Sequence, residues 1–172
     1  ESACQGLSPS VSAEAVFSET MKNLYDGVAL AEVHKSAILA ARALIENDPD
    51  YSRLSARLLL HAVRREVLGE EVDQAAMAER YPQYFPQAIR FGIEAGRLDP
   101  RLAQFDLARL AAALQPGRDL QFTYLGLQTL YDRYFLHVRE QRIELPQAFF
   151  MRVAMGLALN EIDREARAIE FY

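Results

Sequence analysis

The sequence predicts a mainly α-helical, bundle-like protein of about eight helices, with one short β-hairpin near residues 135–145. Apolar residues recur at intervals of three and four through most of the chain, and strict alternation of apolar and polar residues is nearly absent. The residue types that dominate the composition, Ala, Leu, Glu, Arg and Gln, favour helix formation. Both observations indicate a core built from amphipathic helices.

Three helices are predicted in the first part of the chain. The first spans Ser12 to Tyr25 and ends at Gly27, because glycine accepts the left-handed conformation that follows many helices. The second spans Leu30 to Glu46, and a proline-containing turn separates it from the third. The third helix spans Tyr51 to Leu68 and is closed by Gly69.

Prolines interrupt the helical pattern in the middle of the chain. Between Glu70 and Pro100, Pro82 and Pro86 predict a short helix, a turn around Pro82 and a second helix that ends near Gly96. A proline inside a helix lacks the N–H donor and collides with the preceding turn, which is the reason for expecting a break. A further short helix is predicted from Gln104 to Leu114.

The last third of the chain contains the hairpin and three further helices. Tyr124 to Tyr134 has helical apolar spacing, and two apolar stretches around the polar turn Arg139 to Gln141 then predict a hairpin between Phe135 and Leu145. Pro146 begins an apolar helix that continues to Asn160. Asp163 is predicted to cap a final helix.

Composition and charge exclude several classes of protein. With a net charge of −5 and scattered arginines, the chain has no positive electrostatic potential that would attract a polyanion. We therefore expect no nucleic-acid partner. No apolar run approaches the ~18–20 residues that a membrane span needs, and no signal peptide is recognisable. The chain is expected to be soluble and cytoplasmic. It starts without methionine and ends directly after a helical pattern, which favours a segment of a larger protein.

The chain offers no recognisable catalytic set. The single cysteine, Cys4, cannot form a disulfide or supply a redox dithiol within the chain. There is no Gly-rich phosphate loop, no nucleophile elbow and no zinc-binding motif, and the carboxylates are dispersed. His137 has no neighbouring cysteine or carboxylate cluster. We therefore predict no catalytic residue and no metal site.

Two groups of residues could contact a nucleotide. His34 lies near the start of the second helix, where backbone amides favour a phosphate, although an ordinary solvated helix turn explains the spacing better. The third helix carries arginines that could form a basic strip, with glutamates beside them, and a salt-bridged surface is the favoured interpretation there. The arginines of this strip are Arg53, Arg57, Arg64 and Arg65.

Several motifs that occur in order resemble the large subunit of class I ribonucleotide reductase. The stretches Arg118 to Tyr134 and Pro146 to Ala158 resemble the region that enters the catalytic barrel of that family. Four earlier segments resemble the later helices of an ATP-cone, a small regulatory module that binds ATP or dATP. These segments are Asn23 to Val28, Val33-His34, Ala40 to Ile45 and Ala56 to Leu60.

The resemblance implies a division of the chain and two nucleotide contacts. Residues 1–69 would form the C-terminal part of an ATP-cone-like module, and residues 70–172 a helical domain that leads into an absent catalytic barrel. His34 matches the cone histidine that contacts nucleotide, and Arg65 matches a basic position near the phosphates. Leu30 departs from the hydroxyl residue that some relatives have, and the strand pair that begins a cone is missing.

The resemblance also implies what the parent protein does. It would be an oxidoreductase that converts ribonucleoside diphosphates to deoxyribonucleotides for DNA synthesis, by radical chemistry. Its partners would be a small β subunit, which holds the metal centre, a second α subunit, and the allosteric effectors ATP and dATP. This segment would contain no cofactor and no catalytic activity, and would act as scaffold and allosteric coupling region. The alternative is a stand-alone helical module for protein–protein interaction.

Overall fold

The fold is mainly α-helical, as predicted. The computed structural model describes residues 2–172, and within that range it contains eight α-helices, three short 3-10 helices and one two-stranded hairpin. The helices are α1 (Ala13–Met21), α2 (Leu30–Ala43), α3 (Asp50–Leu68), α4 (Met77–Glu94), α5 (Leu107–Ala113), α6 (Tyr124–Arg133), α7 (Pro146–Ala158) and α8 (Arg164–Phe171). The strands are β1 (His137–Val138) and β2 (Gln141–Arg142), and the 3-10 helices are Ser2–Cys4, Pro100–Gln104 and Pro116–Gln121.

Backbone contacts divide the chain into two compact units. The first unit contains residues 1–62 together with residues 120–132, so α1, α2, the first two thirds of α3 and nearly all of α6 belong to it. The second unit contains residues 63–119 and 133–172, with α4, α5, the hairpin, α7 and α8.

The first unit is built around a small apolar core. Helices α1 and α2 pack against each other, and α3 supplies Tyr51 and Leu54 to the same cluster. The Ser12 side chain caps α1 by accepting a hydrogen bond from the Ala15 N–H, as predicted. Helix α1 ends at Met21, one turn earlier than expected, because a series of turns already begins at Lys22.

Polar contacts attach the N-terminal segment of the first unit to α3. The Ser8 backbone N–H donates to Asp50 Oδ2 at 2.9 Å, and the Ser12 N–H donates to the Tyr51 hydroxyl at 3.0 Å. Arg57 Nη1 donates to the carbonyl oxygens of Ala3 and Gln5 at 2.8 and 2.6 Å. The segment before α1 is therefore held against α3.

Helix α4 is continuous, so the predicted break at Pro82 was wrong. Pro82 has no N–H group to donate to the Ala78 carbonyl. Both residues are exposed, so water can supply the missing hydrogen bond. The opposite face of the helix packs into the core through Met77, Tyr81, Phe85 and Ile89. Burying these four side chains gains about 1.5–3 kcal/mol each, which offsets the ~3 kcal/mol cost of each of the two interior prolines, Pro82 and Pro86.

The second unit has a larger core formed mainly by helix packing. Helix α7 packs on α8, α5 on α8, and α4 on both α5 and α7. Pro146 occupies the first turn of α7 and Asp163 caps α8 through the Ala166 N–H, as predicted. Fully buried side chains from these helices include Phe85, Leu110, Met151, Met155 and Ala158.

The predicted hairpin is present but short. His137 pairs with Arg142 and Val138 pairs with Gln141 in antiparallel register. Arg139, at the turn, has a φ of 57°, in the left-handed region that a tight two-residue turn requires.

Candidate functional site

His34 lies on α2, in the first unit, and its ring contacts a second histidine. Helix α2 begins at Leu30 without a side-chain cap, and His34 follows one turn later, on the same face as the buried Ile38 and Ala41. The His34 ring meets His61 of α3 edge to face, with ring centroids 5.8 Å apart and planes 89° apart. Both histidines are half-buried. His34 is a candidate from its position in the sequence, whereas no local pattern indicates that His61 is its neighbour.

Arg65 lies near the end of α3, in the second unit. Its Nη1 atom is 3.4 Å from Glu71 Oε1, and both side chains are more than one-third exposed. An ion pair this exposed contributes little stability, so the guanidinium group remains able to exchange partners. The role of His34 and Arg65 in binding a nucleotide stays a prediction.

The arginines of the predicted basic strip on α3 have different environments. Arg53 pairs with Asp50 at 2.9 Å on the surface, and Arg57 donates to backbone carbonyls. Arg65 pairs with Glu71, as a salt-bridged surface predicts. Arg64 is the exception, because only 5% of its side chain is exposed and it points into the core of the second unit.

Arg64 binds a fully buried carboxylate, Asp119. The Arg64 Nη2 atom donates to Asp119 Oδ2 at 3.0 Å, and the Tyr81 hydroxyl donates to the same oxygen at 2.9 Å. Gln147 Nε2 donates to Asp119 Oδ1 at 2.8 Å. Donors from α3, α4 and α7 thus converge on one carboxylate.

The same network reaches the C-terminal residue. The Tyr172 hydroxyl donates to Gln147 Oε1 at 2.6 Å and accepts from the Gln115 N–H at 2.9 Å. Arg118 donates to the Tyr172 carbonyl oxygen at 2.9 Å, and its guanidinium group lies 4.8 Å from the centre of the Tyr172 ring. At the other end, Gln74 accepts from Arg64 and donates to the Pro116 carbonyl at 2.9 Å.

Burial controls the ionisation of this network. Desolvation raises the pKa of Asp119, while the hydrogen bonds and charge supplied by Gln147, Arg64 and Tyr81 act in the opposite direction. Burial and the neighbouring Asp119 charge raise the pKa of Tyr81 well above its usual range. A carboxylate that is fully buried and already accepts from three donors cannot reach a substrate, so its function is structural.

A second buried acid fixes the hairpin to α7. Glu144, only 4% exposed, accepts from the Leu136 N–H at 2.8 Å and from Arg152 Nη2 at 3.1 Å. The Tyr84 hydroxyl of α4 donates to the Ile143 carbonyl. This arrangement is likewise a structural one, because each polar group is used within the protein.

A cavity of about 250 Å³ lies within the first unit between α1, α2 and α3. Its walls carry no charged side chain, and the Thr20 hydroxyl already donates to the Val16 carbonyl at 2.7 Å. A nucleotide phosphate needs cationic or backbone N–H donors, so this cavity does not suit one. The main lining residues are Val16, Phe17, Met21, Leu24, Val33, Leu54 and Leu58.

None of the helices in residues 2–172 combines the length and the hydropathy that crossing a bilayer requires.

Comparisons with known proteins give the chain its family. Residues 120–172 match the model of a family described as the all-alpha domain of ribonucleotide reductase. The ribonucleoside-diphosphate reductase α subunit of Chlamydia trachomatis is 43% identical over 171 residues, which is 99% of this chain and 16% of that relative. The α subunit of Helicobacter pylori is 37% identical over 150 residues, covering 86% of this chain and 18% of the relative.

The similarity extends to animals. The ribonucleoside-diphosphate reductase large subunit of Danio rerio is 31% identical over 172 residues, or 98% of this chain and 21% of that protein. The chain therefore spans about one sixth to one fifth of the length of these relatives. Similarity over nearly the whole chain, together with the match to the all-alpha family, places the chain in the ribonucleotide reductase large-subunit family, as an N-terminal helical region of the α subunit.

Proposed function

We propose that this chain is the non-catalytic helical region of an enzyme that reduces ribonucleoside diphosphates to deoxyribonucleotides. The observation that carries the proposal is the 43% identity to a reductase α subunit over 171 residues. A match that includes both units of the chain favours one inherited role over a chance similarity of helical pattern.

The distribution of chemical groups supports a scaffold role. The radical chemistry of the family consumes electrons from a cysteine pair, and this chain has only Cys4. The best-organised polar groups, around Asp119 and Glu144, are buried and bonded within the protein. In the parent enzyme, the catalytic cysteines would be supplied by the barrel and the metal centre by the small β subunit.

His34 and Arg65 are proposed contacts for the allosteric nucleotides ATP and dATP in the parent enzyme. His34 can donate or accept at a phosphate or base, and the exposed Arg65 can exchange Glu71 for a phosphate group. The region would then transmit the effect of the bound nucleotide towards the catalytic barrel. Such coupling requires two sites and two states, and the nucleotide contact is the part that belongs to this chain.

A chimeric enzyme tests the nucleotide contacts. This chain replaces the matching 171 residues of the Chlamydia trachomatis α subunit, and the small subunit of that enzyme is added. We expect His34→Ala and Arg65→Ala each to shift the concentration of ATP or dATP that gives a half-maximal effect by about tenfold or more, the loss of one charge-assisted hydrogen bond. Ribonucleotide reduction at saturating substrate is the readout.

His137→Ala is the matched control, because this histidine lies on the exposed side of β1 and has no proposed role. Its effector response should equal that of the unsubstituted chimera. An unchanged response in both the His34→Ala and the Arg65→Ala enzymes would remove the nucleotide contacts from the proposal and leave the scaffold role.

A further inference from the structure

The first unit brings two imidazole rings together, and one of them, His61, has no part in the proposed nucleotide contact. His34 and His61 lie 27 positions apart in the sequence, on α2 and α3. Each offers a ring nitrogen, and these two nitrogens lie within 4.8 Å of each other. We propose that His34 and His61 together bind a divalent transition-metal ion of the zinc class.

Each histidine lies on the same helix face as a buried residue. His34 precedes the buried Ile38 by one turn of α2, and His61 follows the buried Leu54 by two turns of α3. Both imidazoles are nevertheless half-buried rather than enclosed, so an ion from solvent can reach them.

The spacing of the nitrogens suits coordination. Zinc binds histidine nitrogens at about 2.0–2.1 Å, so two nitrogens on one ion are separated by at most about 4.2 Å. The two nitrogens lie within 4.8 Å of each other, and the rings bind a shared ion by turning out of their edge-to-face arrangement until both nitrogens face it. A site with two protein ligands binds the ion less tightly than a site with four.

The chemistry of the donors selects the metal. Neutral imidazole is a borderline ligand that prefers Zn²⁺, Cu²⁺ and Ni²⁺, whereas Mg²⁺ prefers oxygen ligands and keeps its waters. Zn²⁺ is the probe of choice because it has no redox chemistry. The proposal does not depend on nucleotide binding, since both ligands come from the protein and the test contains no nucleotide.

The first experiment is calorimetric titration of zinc chloride into the full chain at about pH 7.5, because metal binding requires deprotonated ligands. We expect one ion per chain, and we expect His34→Ala and His61→Ala each to weaken binding by more than about tenfold. Titration with magnesium chloride should give no binding. If both variants keep the affinity and the stoichiometry of the unsubstituted chain, the proposal is overturned.

Two control variants test whether zinc binds instead to the third imidazole or to the thiol of the chain. The chain contains three histidines and one cysteine, so His137→Ala and Cys4→Ala remove the remaining imidazole and the thiol. Both should bind zinc as the unsubstituted chain does. A site that disappears with Cys4→Ala or His137→Ala would contradict the assignment.

A measurement on the unsubstituted chain covers the case in which a variant does not fold. Nuclear magnetic resonance of the three imidazole rings reports each histidine separately. We expect zinc to shift the ring resonances of His34 and His61 together, in proportion to the bound ion, and to leave those of His137 unchanged. Shifts of one ring alone, or of none, would overturn the proposal.

Discussion

At the residue scale, Asp119 joins three helices of the second unit, because it accepts hydrogen bonds from α3, α4 and α7. It is fully buried and balances the charge of the buried Arg64. Asp119→Asn replaces one oxygen acceptor by an amide N–H₂ group that faces the donors Arg64, Tyr81 and Gln147, so we expect the free energy of unfolding to fall by about 3–5 kcal/mol. Urea denaturation, monitored by circular dichroism, measures this free energy of unfolding. Asp26→Asn, at an exposed position, is the matched control and should change stability by less than about 0.5 kcal/mol.

The same residue gives a pH dependence with a definite sign. Burial raises the pKa of Asp119 in the folded chain above its ordinary value of 3.8, so the folded state holds the proton at pH values where the unfolded state has lost it. The resulting stabilisation is fully present below pH 3.8 and is lost as the pH rises through the folded-state pKa.

The difference in unfolding free energy between the unsubstituted chain and Asp119→Asn isolates this effect, because the other carboxylates cancel. We expect the difference to decrease as the pH rises from about 3.8 and then to level off. A difference that increases over this interval would mean that Arg64 lowers the pKa of Asp119 by more than burial raises it.

Local signals could be predicted at this scale, and long-range pairs could not. The Ser12 cap was predictable because its acceptor and donor lie three residues apart. Arg64 and Asp119 lie 55 residues apart, and each has polar neighbours in the sequence that resemble an ordinary surface. His34 was a candidate from its position in a helix, but its contact with His61 depends on the packing of two helices.

At the element scale, the packing of α4 outweighs the preference of its prolines to end a helix. Pro82 predicts a break because it lacks an N–H donor, yet the buried side chains on the opposite face keep the helix continuous. The hairpin and the last two helices followed the prediction, because a turn, a proline at the first position and an Asp cap act over a few residues.

The continuity of α4 predicts that Pro82→Ala stabilises the chain. Alanine restores the N–H donor to the Ala78 carbonyl and removes the ring clash, at an exposed position where nothing else is lost. We expect the free energy of unfolding to rise by about 1–3 kcal/mol, less than the full helix penalty because proline also restricts the unfolded chain.

Urea denaturation of the variant measures this gain. Gln83→Ala, at the next exposed position of α4, is the control and should change stability by less than about 0.5 kcal/mol. A loss of stability in Pro82→Ala would mean that α4 is broken at Pro82 in solution.

At the scale of the whole molecule, the sequence predicted the fold class and the family but not the grouping of its segments. Helical periodicity indicates which residues face a core, and the motifs after Arg118 led to the reductase family. Backbone contacts join residues 120–132 to the first 62 residues, an association that no local pattern encodes. The functional division at residue 69 stays a prediction.

We propose that this chain serves a reductase α subunit without supplying catalytic groups. The most direct test is ribonucleotide reduction by the chimera in which this chain replaces the matching region of the Chlamydia trachomatis α subunit. We expect the chimera to reduce ribonucleoside diphosphates when combined with its small subunit, and the isolated chain to show no reduction under the same conditions. A folded chimera without activity, or an isolated chain that reduces ribonucleotides, would contradict the account, and the first result would favour a stand-alone interaction module.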